Sequence, residues 1–196
     1  CDRRQRQMCI RDRRALDKAM DNFINRTEDE EPVRKDLREI NFLSGKVTDY
    51  LIRLSEEDMS HNDELTVSSL YKVLSDIMRV ADFSNNIMRY LRVAVANELY
   101  FSSEGLNEIK EMYSLVDELF KDVDYTFANR TTRLLAKIED TESKTDKFKL
   151  QLQQNHLDRL KGGNCKSESS SLYVNLIGNI ERVADHLVYI AQSVKE

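Results

Sequence analysis

The sequence predicts an all-α protein built as two three-helix up-down units that arise from an internal duplication. Three observations point there. Apolar residues recur three or four apart over most of the 196 residues, the spacing of a stripe along one side of a helix. Five Gly, one Pro and 33% charged residues favour long helices over a sheet with many turns. Two stretches about half a chain apart also repeat. Ser69-Leu70-Tyr71 returns as Ser171-Leu172-Tyr173, and Arg79-Val80-Ala81-Asp82 as Arg182-Val183-Ala184-Asp185, the mark of a duplication.

Taken in order, residues 1–14 are dense in Arg and Gln and show no apolar period. The run MCIRDR at 8–13 resembles translated sequencing-adapter sequence, so residues 1–14 are set aside as a non-native or linker segment. The alternative is a basic helical lead from a membrane segment. A short helix is expected over 14–26, on Leu16, Ala19, Met20, Phe23 and Ile24. An acidic joint follows, and Pro32 suits the first turn of a helix over 33–57. That helix buries Leu37, Ile40, Phe42 or Leu43, Val47, Tyr50 or Leu51, and Leu54. Residues 58–63 break the period, and the first motif helix runs over 64–98. Residues 15–98 make the first repeat and residues 99–196 the second.

In the second repeat, Ser102 or Ser103 can cap a helix reaching residue 125, with Glu104 adding favourable charge to its first turn. The next helix covers 131–160. Its middle carries Glu142 and Asp146 at i, i+4 with Lys144 and Lys147 interleaved, which reads as a solvated face. Gly162-Gly163 ends it. The last helix, 171–194, buries Leu172, Leu176, Ile180, Val183, Leu187, Ile190 and Val194. Its polar side holds Asn175, Asn179, Arg182 and His186.

Glu181 and Asp185 leave that polar side. At roughly 100° per residue they share one flank with Val174, Ile177 and Val188. Two carboxylates one turn apart among apolar neighbours repel each other and resist desolvation. A bound cation is one compensation and a buried Arg or Lys is another; on spacing alone a paired or half-exposed acid is the commoner case. In the first repeat Asp82 keeps its place, Met78 stands where the later copy has Glu181, and Asn85 offers a neutral oxygen. Oxygen ligands suit hard or intermediate cations. His186 reads as solvated or capping, and His61 as exposed. No Glu-x-x-His pair, phosphate loop, H-E-x-x-H or nucleophile signature is present.

The net charge of −5 argues against a nucleic-acid binder. No run of roughly 18 apolar residues exists to span a membrane. Three Cys at no metal or disulfide spacing point to a reducing compartment. With no signal peptide and no initiating Met, the chain reads as the soluble end of a longer protein.

The C-terminal stretch also carries a resemblance. Glu181-Arg182-Val183-Ala184-Asp185-His186 resembles the E/D-x-x-x-D hallmark of PhoU-domain proteins, and His156, Arg159 and Leu160 with the Gly-Gly-Asn-Cys turn at 162–165 resemble the segment before it. Residues 39–55 are similar to the first-repeat helix of PhoU-like domains fused to bacterial sodium-dependent phosphate cotransporters. The resemblance implies a non-enzymatic regulatory domain of phosphate homeostasis, cytoplasmic and at the cytosolic face of the inner membrane. It implies a divalent or trivalent metal (iron, Mn or Mg), with Glu181 and Asp185 as ligands in the second repeat and Asp82 alone in the first. The implied partner is the membrane domain of a phosphate transporter, in cis or in trans, with room for phosphate itself and for a homodimer. The rival readings are a plain helical interaction module and a carboxylate-bundle metalloenzyme.

Overall fold

The computed structural model describes residues 2–163, 165 and 167–195. Cys1 and Glu196, at the ends of the expected spans, lie outside the described residues, as do Asn164 of the expected turn and Lys166. Among the described residues six α-helices follow one another: α1 (Asp2–Asn25), α2 (Glu31–Ser55), α3 (His61–Ala96), α4 (Ser103–Asn129), α5 (Leu135–Lys161) and α6 (Ser170–Gln192). Among the described residues there is no strand. Nor, among the described residues, is any helix long and apolar enough to cross a membrane.

Helices α1, α2 and α3 pack on one another, and so do α4, α5 and α6. The two units meet where α3 lies against α6 and α1 against α4. The inner four helices are therefore α1, α3, α6 and α4, with α2 and α5 outside. Short joints make neighbours antiparallel, and their ends are built from local chemistry. Pro32 opens α2 in its first turn. Ser60 and Asp63 form a reciprocal capping box at α3, and Ser102 accepts the Gly105 N–H at 3.1 Å, which settles which serine caps α4.

The predicted α6 stripe is buried from Leu172 to Ile190; Val194 falls in a 3₁₀ turn beyond the helix and is half-buried. On α2 the paired alternatives resolve by direction: Leu43 and Leu51 turn inward, while Phe42 and Tyr50 are 64% and 52% exposed.

The largest departure is α1, which begins at Asp2 and not near residue 14. Residues 2–14, set apart on the sequence, are helical, and Met8 and Cys9 sit in the core. The stripe was hidden because Gln5 and Asp12 occupy two of its positions, both buried. Gln5 donates from Nε2 to the Leu70 carbonyl at 3.0 Å. Burial, then the charge of Asp82, holds the Asp12 carboxyl well above the usual range. Along the α1–α4 seam Arg6 pairs with Asp124, Arg13 with Asp117, and the Tyr113 hydroxyl donates to Asp17. On the other side Arg14 and Lys18 both reach Asp36 of α2, and Arg11 reaches Glu39.

Candidate metal centre

Helices α5 and α6 run antiparallel, so a turn of one faces a turn of the other. Buried Thr141, Thr145 and Leu152 set the inward side of α5, and Ile177, Ala184 and Val188 set that of α6. Both threonine hydroxyls donate within α5, to Lys137 and Thr141 carbonyls at 2.9 Å, and make no claim on the neighbouring acids. This phase turns Glu142 and Asp146 toward Asp185. One carboxylate oxygen from each of the three lies within 4.8 Å of the others. Glu142 and Asp146 are therefore not a solvated face. The lysines between them leave by the other side: Lys144 pairs outward with Asp140 at 2.7 Å, and Lys147 is exposed.

Electrostatically this pocket is short of positive charge. Burial first, then Asp146 and Asp185, raises the Glu142 carboxyl. Burial first, then Glu181 and Asp146, raises Asp185, against weaker pulls from His186 and Lys149. Asp146 Oδ1 is buried with no hydrogen-bond partner. Glu181 is treated differently. Lys149 Nζ lies 2.8 Å from its Oε1, with the two side chains 25% and 15% exposed. Of the two compensations open on the sequence, a lysine serves Glu181, and a group of three close acids lies beside it.

Asp82 stands apart from that group. It is exposed on α3, 3.8 Å from Arg79, and no set of three potential ligands among the described residues includes it. Met78 packs against the core. His61 is exposed, near Glu64. His186 is not merely solvated: its Nδ1 lies 2.9 Å from Asp76 Oδ1 across the α3–α6 contact, and its ring lies 5.9 Å from Phe83.

A second polar assembly lies where α5 turns into α6. Glu108 of α4 accepts from Arg159 Nη1 and Nη2 at 2.8 and 2.7 Å, from Asn155 at 2.8 Å and from the Tyr173 hydroxyl at 2.6 Å. His156, 4% exposed, stacks on Tyr173 at 4.6 Å and shares a 2.7 Å bond with Ser170 Oγ. A Cβ at Gly105 would meet Ser102 Oγ at 3.3 Å and Tyr173 at 3.5 Å, so the glycine lets α4 close on this latch.

Residues 109–194, which include all four carboxylates and Lys149, match the family model described as "PhoU domain". The second three-helix unit thus matches the PhoU family over most of its length. The resemblance read from Glu181 to His186 is borne out at that level. Among curated proteins it is similar to "Phosphate-specific transport system accessory protein PhoU homolog 1" of Thermotoga maritima, 22% identical over 128 residues, covering 65% of this chain and 54% of that protein. It is also similar to "Putative inorganic phosphate export protein YjbB" of Escherichia coli K12, 24% identical over 176 residues, covering 85% of this chain and 31% of that protein. The chain thus spans about half the length of the first relative and under a third of the second. A crystal structure of PhoU from Pseudomonas aeruginosa shares the fold, with a TM-score of 0.86 at 16% identity, over 97% of this chain and 91% of that one. The PhoU match leaves out α1 to α3, and with them Asp82.

Proposed function

We propose that this chain is a PhoU-like, non-enzymatic regulator of phosphate transport that carries a divalent or trivalent cation on Glu142, Asp146 and Asp185. It works in the cytoplasm, at the inner face of the membrane, against the membrane domain of a sodium–phosphate cotransporter or a related phosphate carrier, joined to it or separate. The names of the two relatives support the phosphate role, and the greater length of the second supports a helical part of a larger carrier. The observation that carries the metal reading is the group of three close carboxylates with the unpartnered Asp146 Oδ1.

The donor set fits a hard cation: all oxygen, from two facing turns, with Glu181 adjacent. When bound, such an ion supplies positive charge that holds α5 and α6 together. The protein's own part is to place three acids where their mutual repulsion favours a cation, and to keep Glu181 out of that repulsion through Lys149. All four acids come from two helices, whereas a di-iron oxidase draws ligands from four, so the regulatory reading is preferred to the metalloenzyme.

Mn²⁺ or Fe²⁺ added to metal-stripped protein is expected to raise its melting temperature, because the ion binds the folded arrangement and not the open chain. Glu142→Gln with Asp185→Asn should abolish the rise and leave the metal-free protein as stable or more so, while Asp82→Asn should change nothing. The raised carboxyls set the pH dependence. Their folded pKa values lie above the unfolded ones, so in the metal-free protein their contribution to stability falls as pH rises from about 4 through the raised values. Metal competes with those protons, and the melting shift should be larger at about pH 7.5 than at about pH 5. Lys149 on Glu181 favours one rival, a plain helical interaction module. That reading requires the double variant to be destabilised and the melting temperature to ignore metal.

A further inference from the structure

The other side of α6 faces α3 across an open polar cleft of about 530 Å³. The duplication places Arg79 and Arg182, the arginines of the two R-V-A-D copies, in this one cleft, and Arg89 joins them. Asn85 and Asn86 also line it. Among the described residues neither Arg89 nor Arg182 has a carboxylate or hydrogen-bond partner, and the two asparagine amides are unbonded. Tyr90 accepts the Asn179 amide at 2.7 Å, which leaves its own hydroxyl proton free to donate. The single acid in the cleft is Asp82, shared with Arg79 at 3.8 Å. At the floor, His186 is already matched by Asp76 at 2.9 Å. On a chain of net charge −5, this is a local excess of cations among donors without acceptors.

The geometry points to a binding site for a phosphate-class oxyanion, inorganic phosphate or the phosphate of a phosphomonoester, in the cleft between Arg79, Arg89 and Arg182. Guanidinium groups are suited to it. They stay charged and present paired N–H donors that match two oxygens of one anion. Asn85, Asn86 and the Tyr90 hydroxyl supply neutral donors for the remaining oxygens. Asp82 works against the anion and sets its affinity. The site is separate from the carboxylate group, which lies between α5 and α6, and stands whether or not that group holds a metal.

The test is calorimetric titration of the chelator-treated protein with inorganic phosphate and with O-phosphoserine at low ionic strength. Saturable binding is expected, weakening as salt is added. Arg89→Ala with Arg182→Ala should weaken it by about tenfold or more, the worth of a charged hydrogen bond or two, with the melting temperature unchanged because both side chains are exposed. Asp82→Asn should tighten it. Glu142→Gln with Asp185→Asn should leave it unaltered, which separates this site from any anion held through a metal. Tighter binding of phosphate identifies the free ion as ligand, and tighter binding of phosphoserine identifies a monoester. Absence of saturable binding of either, or full binding in the arginine double variant, overturns the proposal.

Discussion

Replacing Glu108 by Ala is expected to lower stability by about 3–5 kcal/mol, the range found when one member of a buried ion pair is removed. The size comes from what is left behind. Arg159, 9% exposed at its side chain, keeps its charge with no carboxylate to receive it, and the Tyr173 hydroxyl and Asn155 amide lose their acceptor with it. Exchanging both members for apolar residues, Glu108→Leu with Arg159→Met, should recover much of the loss, since the stranded charge is gone. If the single and double variants melt together, Arg159 was not held by Glu108. The pair also fixes a pH signature. Burial pushes the Glu108 carboxyl up, but hydrogen bonds from Arg159, Tyr173 and Asn155 outweigh it and hold the group below its usual range. Its stabilisation is therefore present above the unfolded value of about 4.3 and is lost as pH falls through the lower folded value. Chemical denaturation of wild type and Glu108→Gln should show a gap at neutral pH that closes on acidification.

Ile180→Asp is expected to remove most of the folded population. Ile180 is 2% exposed on α6, the helix that packs against α3, α4 and α5. The change forfeits about 1.5–3 kcal/mol of apolar burial and adds an unpaired acid in the core at several kcal/mol more. A domain of this kind has about 5–15 kcal/mol in total, so a fall in melting temperature of at least about 10 °C is the smallest outcome consistent with this packing. Two positions on, Arg182 is exposed, and Arg182→Asp should stay within about 0.5 kcal/mol of wild type. Circular dichroism melts of the two variants decide the phase of α6: equal melting temperatures would reverse it.

What was legible in the sequence had its cause within one helix. The α6 stripe is apolar at every third or fourth place, so its buried side and the flank carrying Glu181 and Asp185 could be read directly. The C-terminal half of α1 is legible in its apolar stripe, but its first half is not, because Gln5 and Asp12 occupy core positions there and a pattern of apolar residues does not register a buried amide or carboxyl. The carboxylate group was half visible. Glu142 and Asp146 have the same i, i+4 spacing as Glu181 and Asp185, but Lys144 and Lys147 between them masked the fact that acids and lysines leave α5 by different sides. Which helix those acids face is a tertiary fact, as are the pairing of Glu108 with Arg159 and of His186 with Asp76. Nothing in the local pattern at either end of such a pair announces the other.

The seam between α1 and α4 sets an order of events in folding. Its contacts join residues 118, 104 and 96 positions apart, whereas every turn within a three-helix unit closes over a short joint. Bringing the ends of a flexible segment of about a hundred residues together costs about 2–3 kcal/mol more in chain entropy than closing one of about five. That penalty shrinks only when the intervening helices are already formed and paired. Each half must therefore gather itself before the seam can close, and until it does, the apolar sides of four helices lie open to a second chain.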